Sequence, residues 1–201
     1  MCPRQRGRRH PRRLAVEAVL AMLIAGTSPS SMAKTVDADD LPTAVVRVDN
    51  IAAVPARNLQ FAEDRAAEVF GRIGVRVRWI DEDSAIREHL SPPFTVVLVK
   101  EGENARPAAL PEGALGFADP QVHRAHVFYD RIEALKGRSR RSTAIILGDV
   151  MAHEIGHLLL PPPGHSADGI MRRGVDTNLR AIETFTKFQA REILSRLRQL
   201  P

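Results

Sequence analysis

The sequence predicts one α+β domain with a short separate segment in front of it. A chain of 201 residues, 44% apolar and 26% charged, is long enough to bury a sizeable core and too apolar to stay disordered. Short β-branched runs gather between residues 43 and 129, where one long early helix interrupts them. The longest helical stretch and a final amphipathic one come after the strands, an order that argues for a single mixed sheet with helices packed on it.

Taken in order, Thr43–Val48 (TAVVRV) is β-branched and short, hence a strand. Asn58–Ile73 places Leu59, Ala62, Ala66, Val69, Phe70 and Ile73 at helical spacing, and Gly71 and Gly74 mark its end. Val75–Ile80 alternates apolar and polar residues, as a strand with one wet face does. Asp83–Leu90 reads as a short helix closed by Pro92-Pro93. Phe94–Val99 (FTVVLV) is almost wholly apolar, which predicts a central strand covered on both faces. The polar loop Lys100–Gly113 leads to Leu115–Ala118, a short edge strand stopped by Asp119-Pro120, and Ala125–Tyr129 is the last strand. Ser142–Leu160 carries the longest apolar periodicity, with Ser142 or Thr143 placed to cap it. Pro161-Pro162-Pro163 must end that helix, because proline has no amide to donate. A final helix within Thr186–Leu200 sets Phe188, Ile193, Leu194, Leu197 and Leu200 on one stripe. No internal repeat is present.

Residues 1–33 differ from the rest. Six arginines between Arg4 and Arg13 precede the apolar run Leu14–Gly26, and small residues follow up to Ala33. These are the three parts of a secretory signal peptide, with cleavage expected after Ala33. The apolar run is about half of the ~20 residues a membrane span requires, so no stable anchor is expected after cleavage. The mature chain would then be residues 34–201, exported and either secreted or periplasmic. The segment also accounts for the whole formal charge of +5, since the other 168 residues carry 23 basic and 23 acidic side chains. A neutral body argues against nucleic-acid binding. Cys2 is the only cysteine, which excludes a disulfide framework and a cysteine-based zinc finger.

The chemistry lies in Asp149–Arg173. His153-Glu154-Ile155-Gly156-His157 is an H-E-x-x-H motif on the predicted helix. Histidines four apart project from one helix face, so both rings can reach one metal ion, and Glu154 can touch a water beside it as general base. Gly148, Ala152 and Gly156 form a smooth strip that would pack on the sheet and turn the histidines toward a cleft. A catalytic zinc takes three protein ligands. His165 is the natural third, because Gly164 can take the positive φ that turns the chain back. Asp168 and Glu183 stand as alternatives. Asp149, one turn before His153, is placed either to orient that ring or simply to face solvent. Arg172 and Arg173 fit a solvated pair better than a substrate contact.

These residues resemble the metzincin zinc endopeptidases, matrixin-like members in particular. The match runs through H-E-I-G-H, then His165-Ser166, then Gly169-Ile170-Met171, which looks like a Met-turn. The resemblance implies a zincin fold with a mixed twisted sheet, an active-site helix and a C-terminal helix. It also implies one catalytic zinc on His153, His157 and His165, Glu154 as base and Met171 as the floor of the site. Leu115, Gly116, Phe117 and Ala118 fall where the family has its antiparallel substrate-binding strand. The family spaces its third ligand six residues after the second histidine, whereas His165 lies eight after His157, and no tyrosine follows Met171. The expected function is an exported endopeptidase acting on peptide or protein substrates. The alternative is a secreted zinc-holding binding protein with little turnover.

Overall fold

The computed structural model describes residues 41–87, 93–102, 110–174 and 182–200. All of them fall within the compact unit Val36–Pro201. The expected export segment, the end of the helix expected up to Leu90 and most of the loop after Lys100 lie outside the described residues.

Five strands form one sheet in the order β2-β1-β3-β5-β4. They are β1 (Thr43–Asn50), β2 (Arg76–Ile80), β3 (Phe94–Val99), β4 (Gly116–Asp119) and β5 (Arg124–Phe128). Parallel pairing joins β2, β1, β3 and β5, and only β4 runs antiparallel, along β5 at the end of the sheet. The apolar run Phe94–Val99 therefore occupies the middle of the sheet, as its composition requires. Alternation along β1 buries Ala44, Val46 and Val48 on one face.

Helices α1 (Ala56–Gly71) and α4 (Thr143–Leu159) pack on each other and close the main core over that face, while α5 (Lys187–Leu197) packs on α4. Phe70, Val96, Leu98, Val127, Leu147, Met151 and Ile155 are fully or almost fully buried there. The opposite face carries a smaller cluster of Val97, Val99 and Phe128, with Leu110 and Phe117 packed against it. Two short helices, α2 (Glu82–Arg87) and α3 (Tyr129–Glu133), complete the described elements.

Four expectations are corrected. Tyr129 does not end a strand. It opens α3, a helix of five residues, too short to show a period of 3.6 in the sequence. Leu115 precedes β4, although its carbonyl still accepts from the Phe128 amide at 2.9 Å. Phe188 is 59% exposed and is not part of the α5 stripe, while Gln189 beside it is buried. The small-residue strip of α4 packs on α1 and on the loop beneath the helix instead of on the sheet. A Cβ on Gly148 would collide with the Ala62 carbonyl and the Arg65 side chain, and one on Gly156 with the Met171 sulfur.

Candidate metal centre

Helix α4 carries the site, and local chemistry fixes both its ends. The Ser142 hydroxyl accepts from the Ile145 amide at 3.3 Å, a standard N-cap. At the other end Leu160 leaves helical geometry (φ −100°, ψ 148°) immediately before the three prolines. Gly164 then turns the chain back at φ +68°, with its backbone so close to His157 that a Cβ would stand 2.9 Å from the ring Nδ1. That position requires glycine for its conformation and for its proximity to the ring.

The turn brings His165 to the histidine pair. His157 Nε2 lies 3.1 Å from His153 Nε2 and 3.2 Å from His165 Nε2. The three rings are half-buried, and their ligand atoms all fall within 4.8 Å of one another. Nitrogens at tetrahedral positions around a zinc ion, with Zn–N bonds of 2.0–2.1 Å, would stand about 3.3 Å apart. The Ile170 carbonyl accepts from His153 Nδ1 at 2.8 Å, so in the neutral ring Nε2 keeps its lone pair. With that tautomer, no arrangement of protons on three neutral rings makes a separate hydrogen bond of each close contact, because a His157 Nε2 that donates to His153 has no lone pair left for His165. A cation among them makes both contacts favourable. Burial lowers all three ring pKa values, that of His157 to about 3 with help from its two neighbours, so the lone pairs are free at neutral pH. The triad fits one zinc ion.

Glu154 is 6% exposed, and burial pushes its carboxyl pKa up to about 8. Strand β4 stands close to it. A Cβ on Gly116 would stand 2.9 Å from Glu154 Oε1. In the β4–β5 register the Leu115–Phe128 hydrogen bond makes Phe117↔His126 the next bonded pair. Gly116 and Ala118 therefore direct their amides and carbonyls away from β5, to the sheet's outer edge. Helix and edge strand bound a cleft of about 850 Å³, lined also by Leu110, Val150, Leu160 and Arg173.

The loop beneath the triad is tied to both sides. Arg172 N bonds the Gly169 carbonyl at 3.0 Å, closing a turn around Ile170 and Met171, and Met171 is completely buried under Gly156. The Ile170 carbonyl from this turn is the one that orients His153.

Other candidates fall elsewhere. Asp168 is exposed and outside the cluster, and Glu183 pairs with Arg172 at 3.5 Å. Asp149 orients no histidine and faces no solvent; it is 2% exposed and held by Arg65 (2.7 Å) and Arg141. His126 stacks on Phe117 with ring centroids 4.6 Å apart, and His123 packs near Phe94. Tyr129 is buried in the core with Asn58 within 3.4 Å of its hydroxyl, and no tyrosine lines the cleft among the described residues. Sequence reasoning passed over Gln189, whose buried side chain reaches the His165 loop from α5. The one available signal was Thr186-x-x-Gln189, a capping-box pattern that marks a helix start and says nothing of the loop.

No family model and no curated protein matches the chain. Solved structures do. A zinc-dependent peptidase from Methanocorpusculum labreanum superposes with a TM-score of 0.51 at 16% identity, over 74% of this chain and 99% of that one. Archaemetzincin from Methanopyrus kandleri superposes with a TM-score of 0.50 at 14% identity, over 79% of this chain and 97% of that one. At such identities the likeness is one of fold, and the chain has the mixed-sheet fold of these zinc peptidases.

Proposed function

We propose that this protein is an exported, metzincin-like zinc endopeptidase. The observation that carries the reading is the convergence of three imidazoles whose ligand atoms lie within 4.8 Å of one another, with His157 Nε2 close to a tetrahedral edge from each of the other two, beside a buried carboxylate and an open strand edge. The peptidase fold of the structural neighbours supports it. His153, His157 and His165 would hold the ion. Zinc bound there supplies a Lewis acid that polarises a carbonyl and lowers the pKa of water to near 7.

Glu154 does the proton work. Its carboxylate takes the proton from the attacking water at an Oε atom and delivers it to the leaving amide nitrogen. Burial makes this carboxylate more basic than an exposed one, which suits both transfers. Gly116 and Ala118 offer main-chain donors and acceptors to an extended peptide, which adds to β4 as a further strand with little dependence on side chains. Met171 serves as the floor of the site, in the manner of a Met-turn, and residues 1–33 direct export.

The absence of a tyrosine from the described cleft lining favours a second reading, a zinc-holding binding protein with little turnover. Metal analysis of the purified protein combined with a fluorogenic peptide library separates the two. The endopeptidase reading expects one zinc per chain, hydrolysis by the wild type, and a Glu154→Gln variant that keeps zinc while losing roughly 10²–10⁴-fold in turnover. Full zinc with no hydrolysis by either protein leaves the binding reading. No zinc in the wild type overturns both.

A further inference from the structure

The loop that delivers His165 is irregular. It runs through three prolines and a glycine at φ +68°, and it spans eight residues from His157. A stretch of that kind has no ladder of its own to hold a side chain in place. The structure supplies the hold from α5. Gln189 is 5% exposed, and its Nε2 donates to the Gly164 carbonyl at 3.0 Å and to the Ser166 hydroxyl oxygen at 3.1 Å. Those are the residues on either side of His165. The Ser166 hydroxyl donates in turn to the Asp168 carbonyl at 2.7 Å, so the chain of donors and acceptors is complete. The other end of the amide is also engaged, since Gln189 Oε1 accepts from the Thr186 amide at 3.0 Å. All three contacts agree on one orientation of the amide.

We propose that Gln189 is the positioning residue of the third metal ligand, its amide clamping both neighbours of His165 so that the ring is held among the other two before a cation arrives. The inference rests on the reading that the three histidines hold zinc. The buried amide uses its donor group on both sides of one ligand, and losing it takes a hydrogen bond from the half-buried Gly164 carbonyl and from the Ser166 hydroxyl oxygen. Its effect on the metal is indirect, as with other groups that orient a ligand without touching the ion, where substitution weakens metal affinity by about 10–100-fold.

Gln189 also belongs to the N-cap of α5, so a merely structural role must be separated from a positioning one. Two variants do so. Gln189→Glu keeps the oxygen that accepts from Thr186 and removes the donor to Gly164. Thr186→Ala removes the hydroxyl that accepts from the Gln189 backbone N–H at 3.3 Å and leaves the side-chain clamp in place. Zinc dissociation constants are measured on the full chain by chelator competition near pH 8, beside thermal melts of each protein. The positioning role expects Gln189→Glu to bind zinc at least tenfold more weakly than the wild type, and Thr186→Ala to stay within about twofold even though its melting point falls. Gln189→Met, whose thioether donates nothing, should repeat the loss and serves if the glutamate variant does not fold. Equal weakening in the Gln189 and Thr186 variants would reduce the residue to a helix cap and overturn the proposal. Unchanged affinity in both Gln189 variants, with His165→Ala losing zinc, would overturn it while leaving the metal centre standing. A wild type without measurable zinc affinity would overturn both.

Discussion

At Gly116 β4 and helix α4 come close together, and the absence of a side chain there is what allows it. An added Cβ would stand 2.7 Å from the His126 carbonyl and 2.9 Å from Glu154 Oε1. The first of these is backbone within the sheet and cannot yield, so Gly116→Ala has to displace either β4 or the carboxylate. A shift of even an ångström in a catalytic group can cost on the order of 100-fold. Gly116→Ala is therefore expected to lose roughly 10–100-fold in kcat/KM on a peptide substrate while zinc content stays at the wild-type level. Glu63 on α1 gives a different kind of prediction. Burial, with Asp64 and Asp81 nearby, raises its pKa from 4.5 to about 7. The folded form thus holds this proton more tightly than the unfolded chain does. Stability from this group is complete below about pH 4.5 and declines as pH rises through about 7. Glu63→Gln should accordingly melt higher than the wild type near pH 8, and the advantage should vanish near pH 4.5. Melts that differ equally at both pH values would show that this carboxyl does not titrate as described.

Among the elements, α4 is the one on which the site depends, and a buried ion triad anchors it. Asp149 is held between Arg65 of α1 and Arg141 of the segment before α4, and all three side chains are at most 11% exposed. Taking away the carboxylate removes the counter-charge that both buried guanidinium groups share, and leaves Arg65 the longer 3.6 Å contact to Glu68. Breaking such a buried arrangement costs about 3–5 kcal/mol. Asp149→Ala should show that loss in its denaturant midpoint, and a cost below about 1 kcal/mol would mean that the arginines find other partners. The start and end of α4 were legible in the sequence because caps and prolines act locally. The distant partner of Asp149 was not, since Arg65 stands 84 positions earlier and nothing near Asp149 announces it. For the same reason the orienting group of His153 is a backbone carbonyl from Ile170, a kind of partner that no residue identity encodes.

For the molecule as a whole, zinc should act as a stabiliser, because three rings from a helix and a loop meet only in the folded chain. A ligand that binds the native state alone adds about 2.7 kcal/mol at a hundredfold excess over its dissociation constant. In a domain of this size that corresponds to roughly 5–10 °C in melting temperature. Removal of metal with a chelator should lower the wild-type Tm by that amount, and His157→Ala should show no such response. The elements follow a similar division between local and distant causes. Alternation in β1, the apolar run of β3 and the stripe of α1 state which faces are buried, and each was readable from its own residues. The five-residue α3 was not, being shorter than the pattern that would reveal it. Sequence alone determined that two histidines share a helix face with a glutamate between them, that prolines end that helix, and that a glycine follows where the chain must turn. Those are consequences of backbone geometry within a few residues. Only the tertiary structure decided that His165, and neither Asp168 nor Glu183, completes the cluster, that Gly116 of β4 stands beside Glu154, and that a glutamine from the last helix holds the loop. Each depends on segments distant in the chain meeting across the core, and contacts of that kind are set by packing and leave no period in the sequence.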